Sequence, residues 1–229
     1  MVLKYLGHAC FWLETAGKRL IIDPFISGNP NIEAFDLSTI PVDYILVTHA
    51  HGDHIEDVEA LAKMNDALII SNYEITNHYA AKSLRVHAMN HGGKYKFDFG
   101  YLKYVHAIHT SSFPDGTNGG DPGGFVLWND ETCFYHAGDT ALTKDMELIP
   151  ISCPSLDFAI LPVGDNFTMG YEDASIAAEM LKCDKIVACH FDTFPIIEID
   201  KDAALDAFNK KGKTLILPQF EQILKSSEL

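Results

Sequence analysis

Thr48-His49-Ala50-His51-Gly52-Asp53-His54 follows directly on the apolar run Tyr44-Ile45-Leu46-Val47. It gathers three imidazoles and a carboxylate within six residues, the ligand types that hold zinc, iron or manganese. A run this dense is hard to explain as packing. Gly52 lets the backbone turn tightly between the polar residues, and the apolar run reads as a strand that gives them a rigid base. The competing reading is a polar surface loop that happens to be rich in histidine, and the spacing disfavours it.

One loop is too little for a catalytic two-metal centre, so further ligands should stand at the ends of other apolar strands. Three residues meet that test. His109 follows Tyr104-Val105-His106-Ala107-Ile108, Asp139 follows Cys133-Phe134-Tyr135-His136-Ala137-Gly138, and His190 follows Lys185-Ile186-Val187-Ala188-Cys189. Taken alone, each is an ordinary strand-end histidine or turn aspartate. Beside the histidine-rich loop they read as ligands carried on a rigid scaffold.

Composition bounds the rest. The 229 residues, nearly half of them apolar, are ample for a sizeable buried core. No linker separates independent units, so the chain reads as a single domain over residues 1–229. No apolar run is long enough to span a bilayer, and Met1-Val2-Leu3-Lys4-Tyr5-Leu6 reads as a first strand rather than a signal peptide. Five scattered cysteines without a CxxC pair argue for a reducing compartment, and the expected location is the cytoplasm. A net charge of −15, with no basic cluster beyond Lys210-Lys211-Gly212-Lys213, repels polyanions and argues against binding long nucleic acid. A small anionic substrate stays open, because bound cations invert the local potential.

Short β-branched and aromatic runs predict strands near 2–6, 10–15, 19–22, 43–47, 67–70, 84–88, 94–97, 101–108, 124–128, 132–136, 157–161, 186–189 and 214–217. Helical periodicity appears at 54–64, 73–82, 172–182 and 201–210. The mixture implies a layered α/β (α+β) protein rather than a bundle or a simple sandwich. Residues 113–124 form the main Gly/Pro loop, read equally as a flexible connector or a substrate-facing loop.

The HxHxDH run, the later strand-end histidine, the Gly-Asp-Thr and the final strand-end histidine together resemble the metallo-β-lactamase superfamily. More narrowly, the chain is similar to the uncharacterised metal-dependent hydrolases related to ascorbate-6-phosphate lactonase. Supporting segments are Gly7-His8-Ala9-Cys10, Ile22-Asp23-Pro24-Phe25-Ile26-Ser27-Gly28-Asn29-Pro30 and Ala107-Ile108-His109-Thr110-Ser111. Tyr135-His136-Ala137-Gly138-Asp139-Thr140, Leu161-Pro162-Val163-Gly164-Asp165, Phe167-Thr168-Met169-Gly170 and His190-Phe191-Asp192-Thr193-Phe194-Pro195 complete them. They span almost the whole chain. One departure is Asn90-His91-Gly92-Gly93, where the family more often has an apolar residue before Gly-Gly; it bears on local loop detail rather than on the ligands.

The resemblance implies a four-layer αββα sandwich with metal at one edge of the sheets. His49, His51 and His109 would hold a first cation, Asp53, His54 and His190 a second, and Asp139 would bridge them. All seven positions carry the expected residue type. Two divalent cations sharing a hydroxide would lower its pKa toward neutrality for attack on a carbonyl or phosphoryl centre. Asp53 could both ligate and orient that hydroxide by accepting its proton. Zinc is the default, with manganese or iron also permitted by the carboxylates.

Other polar residues divide by position. His8, at the end of the first strand, is a candidate to orient ligands or contact substrate. Asp23 is a candidate to orient a ligating imidazole. Asp165, after an apolar strand, could reach the site. His136 reads as a buried hydrogen-bonding residue, and His106 has the wrong parity to share a sheet face with His109. His78 and His87 read as surface or satisfied core residues, and His91 as a loop residue near the site.

The leading function is metal-dependent hydrolysis of a small metabolite, a lactone or ester before a phosphodiester such as a small nucleotide or a phospholipid-like substrate. A homo-oligomer is compatible with the resemblance. No GxSxG pattern competes. Redox di-iron relatives resemble HxExD in the first motif, and His51 at that position favours hydrolysis. A non-catalytic scaffold would be expected to have lost ligands, and here none is missing.

Overall fold

Successive residues along the central strands go to opposite sides. Phe134, Phe158 and Ile160 enter one apolar cluster, while their neighbours Tyr135, Ala159 and Leu161 enter another. This period of two sorts the apolar side chains into layers. The structure, a computed structural model, describes residues 1–225 and 229.

Two seven-stranded sheets face each other. The first is assembled from Val2–Tyr5 (β1), Phe11–Thr15 (β2), Lys18–Ile22 (β3), Tyr44–Leu46 (β4), Leu68–Asn72 (β5) and Val86–Met89 (β6), with Ile223–Lys225 (β14) at its edge beside β1. The second holds Lys94–Phe97 (β7), Gly100–His106 (β8), Gly123–Trp128 (β9), Cys133–His136 (β10), Phe158–Pro162 (β11), Lys185–Cys189 (β12) and Thr214–Ile216 (β13), in the spatial order β13 to β7. Pairing from β3 to β6 is parallel, as it is from β10 to β13. The remaining pairs are antiparallel.

The core between the sheets takes Leu3, Phe11, Leu13, Leu20, Leu46 and Ile70 from the first and Leu102, Phe125, Phe134, Phe158 and Val187 from the second. Outside the first sheet lie helices Val58–Asn65 (α2) and Tyr73–Ala80 (α3), which bury Val58, Leu61, Ile75 and Tyr79. Ile149–Ser152 (α4), Tyr171–Met180 (α5) and Lys201–Asn209 (α6) cover the second through Ile149, Ala174, Ala177, Ala178, Ala204 and Phe208. The result is the expected αββα arrangement of two inner sheets and two outer helical layers.

Local differences have physical causes. The helix expected over 54–64 is split into Gly52–Ile55 (α1) and α2. Asp57 breaks it, because its carboxylate accepts the amides of Ile26 and Ser27 at 2.6 and 3.0 Å and its own amide donates to Pro24. The strand expected over 101–108 ends at His106, so His109 sits beyond the sheet and parity does not govern where it points. His106 is exposed and pairs with Asp145. β14 and α4 were not expected, being too short to show a period. The Gly/Pro loop is pinned: the Asn72 side-chain amide donates to the carbonyls of Gly119 and Asp121, and Phe113 stacks on His78 with ring centroids 4.0 Å apart.

Candidate metal centre

The polar residues of interest leave the carboxyl ends of strands, all at one edge of the sandwich: His8 after β1, Asp23 after β3, residues 48–54 after β4, His109 after β8, Asp139 after β10 and His190 after β12. Open α/β sheets place ligand sites at this end, where loops diverge from a rigid frame. His8, Asp23 and His190 adopt left-handed backbone, with φ of 54°, 45° and 52°. Non-glycine residues rarely do so, and such strain collects where a side chain must be aimed. Gly138 aims Asp139 in a related way. Its φ is 63°, and a Cβ there would lie 2.8 Å from both the Gly123 carbonyl oxygen and the Thr48 Cβ.

Two groups of side chains converge. The donor atoms of His49, His51 and His109 lie within 4.8 Å of one another, as do those of Asp53, His54, His190 and His8. Between the groups sits the Asp139 carboxylate. Its Oδ2 is 3.0 Å from His190 Nε2, 3.4 Å from His54 Nε2, 3.6 Å from His109 Nε2 and 3.9 Å from His49 Nε2. His49, His54, His190 and Asp139 form a buried floor, while His51, Asp53 and His109 are partly exposed at the mouth.

Hydrogen bonds behind the floor settle which nitrogens face inward. Asp23 is buried and accepts the amide of Thr48 at 2.8 Å, its hydroxyl at 2.6 Å and His54 Nδ1 at 2.9 Å. The Thr48 hydroxyl proton is thereby committed, so its oxygen accepts from His49 Nδ1 at 3.0 Å. In their neutral forms both imidazoles then turn Nε2 lone pairs to the cluster, the tautomer a cation requires. Within the cluster His54 Nε2 and Asp139 Oδ1 are buried with no hydrogen-bond partner among the described residues. Orphaned buried polar atoms are costly, and lone-pair donors gathered in one buried cluster suit a cation. The residues present therefore fit divalent cations.

Burial and neighbouring charges act together on the cluster. Burial drives His49 well below the usual histidine range, and the neighbouring His54 adds to that. Burial likewise lowers His51 and His109. For His54 burial also opposes the charged form, but the carboxylates of Asp139 and Asp23 outweigh it and raise its pKa well above the usual range. Burial alone would raise Asp139; the His190 and His54 imidazoles hold it well below the ordinary carboxylate value. Burial pushes His8 down to about 4, against the hydrogen bond to Asp53 that favours its charged form.

Asp165 is not brought into this group. It lies in an exposed turn, where its carboxylate accepts the amide of Asn166 at 2.7 Å, and makes no hydrogen bond or ion pair with the clustered residues among those described. Its strand ends at Pro162, and Asp165 stands with left-handed backbone (φ 61°) in the turn closed by the Gly164–Gly170 bridge. His136 is buried, receiving the Gly138 amide at Nδ1 and facing the Ala9 carbonyl through Nε2 at 3.3 Å. His91 stacks on Tyr104 and faces the Pro122 carbonyl. Thr48, Thr110 and Thr193 were not singled out by sequence. Thr110 Oγ1 lies 3.3 Å from His51 Nε2, and Thr193 Oγ1 2.9 Å from His8 Nδ1. All three stand in stretches the sequence marks out, Thr48 as the first residue of the histidine-rich one and Thr110 and Thr193 each within three residues of a strand-end histidine.

Known proteins share this architecture. The profile of the beta-lactamase superfamily domain matches residues 2–190. A UPF0173 metal-dependent hydrolase of Flavobacterium johnsoniae is 56% identical over 217 residues, spanning 95% of this chain and 96% of its own. One from Christiangramia forsetii is 53% identical over 218 residues, with 95% and 96% covered. Among solved structures, Igni18, described as a novel metallo hydrolase from the hyperthermophilic archaeon Ignicoccus hospitalis, aligns with a TM-score of 0.88 at 29% identity over 98% of each chain. With the domain profile covering most of its length and relatives above half identity along nearly all of it, the chain belongs to the metallo-β-lactamase superfamily, in the family of UPF0173 metal-dependent hydrolases.

Proposed function

We propose that this chain is a dinuclear metal hydrolase acting on a small metabolite, with a lactone or ester as the preferred substrate class. His49, His51 and His109 would hold one cation, Asp53, His54 and His190 the other, and Asp139 would serve both. The observation that carries this reading is the place of Asp139 Oδ2, within 4 Å of imidazole nitrogens from both groups. Zinc suits the imidazole-rich set, and manganese or iron are compatible with the carboxylates. When bound, such a pair supplies Lewis acidity and a water that ionises near neutral pH.

The chain's own groups do the rest. Asp53, partly exposed at the mouth, would accept a proton from the attacking water and orient it. Asp23 and Thr48 hold His54 and His49 in the ligating tautomer. Apolar side chains are exposed on the segments that carry the ligands: Ile108 next to His109, Phe167 in the turn whose Met169 amide donates to Thr140 next to Asp139, and Ile196 six residues after His190. Those exposed apolar side chains favour a substrate with an apolar portion.

Metal analysis of purified protein, combined with a panel of lactones, esters, phosphodiesters and thioesters, tests the reading. Two equivalents of metal and turnover of a lactone or ester are expected, with activity lost in His51→Ala and Asp139→Ala. Full-rate turnover by either variant would sink the two-metal mechanism, and selective phosphodiester cleavage would move the substrate class.

A further inference from the structure

His8 lies inside the cluster, yet the ligand assignment leaves it without a task. Its main chain is tied in twice: the carbonyl accepts the His190 amide at 2.9 Å and the Tyr5 hydroxyl at 3.2 Å. Its ring is buried, edge-on to Phe25 and Phe194 with centroids 5.5 and 5.8 Å away, and tilted against His190 at 4.2 Å. Both nitrogens are engaged. Nδ1 is 2.9 Å from Thr193 Oγ1, and Nε2 is 3.1 Å from Asp53 Oδ2.

The direction of these two bonds follows from the partners. The Thr193 hydroxyl can donate to Nδ1 or to the Phe191 carbonyl, which stands at a long 3.4 Å. If it chose the carbonyl, a neutral His8 would carry its proton on Nδ1 and turn a lone pair toward a carboxylate ionised at neutral pH. Donation to Nδ1 removes that repulsion and leaves Nε2–H to donate to Asp53. In this tautomer Nε2 offers a proton and has no lone pair for a cation.

We infer that His8 is a positioning residue: the relay from the Thr193 hydroxyl through His8 to Asp53 Oδ2 fixes the Asp53 carboxylate for the second cation. Asp53 Oδ1 has no hydrogen bond among the described residues and stays available as ligand. The inference rests on the dinuclear reading above. Partners of this kind tune ligands, and their loss typically weakens metal affinity about 10–100-fold.

The test uses full-length protein stripped of metal and titrated with cobalt(II) against a chromophoric chelator, with the cobalt absorption spectrum recorded at saturation. Native protein should take up two equivalents. His8→Ala should still reach two at saturation with unshifted bands, but bind one of them about 10–100-fold more weakly. His8→Gln, whose amide can donate to Asp53, should recover most of the affinity, and Thr193→Val should lose several-fold. Unchanged affinity in His8→Ala would overturn the proposal. So would loss of one equivalent or a shifted band, either of which would make His8 a ligand, or a His8→Gln as weak as His8→Ala. Where His8→Ala fails to fold, Thr193→Val carries the test, because it keeps the His8 backbone bonds, and native affinity there overturns the relay. Native protein that binds a single cobalt would sink the dinuclear reading itself, and this inference with it, before any variant is compared.

Discussion

His54 Nδ1 lies 2.9 Å from Asp23 Oδ2, a buried contact between a residue of the histidine-rich loop and one that leaves the neighbouring strand β3 in left-handed backbone. The contact is more specific than a salt bridge: the same oxygen takes the Thr48 hydroxyl, so one carboxylate sets the tautomers of His54 directly and His49 at one remove.

Asp23→Asn keeps the volume, and asparagine tolerates the left-handed backbone. Its amide nitrogen in place of Oδ2 would face two donors, so the His54 proton is driven toward Nε2 and the lone pair is lost to the cluster. Metal affinity should fall about 10–100-fold, read by chelator competition. Native affinity in this variant would show that Asp23 does not control His54.

Damage to the core should separate from damage to the site. Phe134 and Phe158 are fully buried between the sheets and stack with centroids 5.1 Å apart. Phe134→Ala should cost about 3–5 kcal/mol of stability by cavity formation, measured by urea unfolding. Metal stoichiometry at saturation should stay native, and loss of a metal equivalent would mean that the sheet interior sets the ligand geometry more directly than β10 does through its end.

Much of this was legible because metal chemistry is written in residue type and spacing. Residues 49, 51, 53 and 54 lie in one short stretch, and His109, Asp139 and His190 each follow an apolar run; together, not singly, these suggested convergence, and the division between two cations came with the family resemblance. Periods of two and of about 3.6 pointed to a layered α/β protein, and the αββα order of the layers came with the family resemblance. What the sequence hid was long-range or conformational. Thr193 meets His8 across 185 positions, and Asp57 interrupts a good helical period only because amides at 26 and 27 are within reach. Asp165 resembled the other strand-end carboxylates, and nothing local revealed that its carboxylate is exposed and taken by the Asn166 amide.

Acid should weaken the metal-free fold, beginning near the histidine range. His8, His49, His51 and His109 are lowered from 6.5 chiefly by burial, so between that value and their folded values the unfolded chain binds more protons. Stability then falls as pH falls. Asp139 acts in the same sense at lower pH, because its depressed pKa gives stability that is lost on protonation. His54, raised by Asp139 and Asp23, works the other way: its contribution is full below 6.5 and is lost only as pH rises through its folded value. With more groups depressed than raised, urea midpoints of metal-free protein should decline from pH 7 to pH 5. A flat or rising midpoint would contradict the buried, neutral state assigned to these imidazoles.

The Gly/Pro loop is expected to act on the metal centre through one glycine. A Cβ on Gly119 would collide with the Cβ of Ala50, between His49 and His51, and would reach 2.6 Å from Ser111 Oγ, which accepts the Ala50 amide. The Gly119 amide also donates to the Ser111 carbonyl at 3.0 Å, so the loop, the 109–111 segment and the ligand loop are packed as one unit. Gly119→Ala must push one of them away. Overpacking of this kind costs about 1–3 kcal/mol, and here the displaced backbone carries His49, His51 and His109. Both thermal stability and cobalt affinity at the three-histidine group should drop, while Gly116→Ala, three residues away with no atom near its Cβ, should leave cobalt affinity native despite the strain of its positive φ. A Gly119→Ala protein with native cobalt affinity would show that the loop does not support the ligands and would return it to the role of a connector.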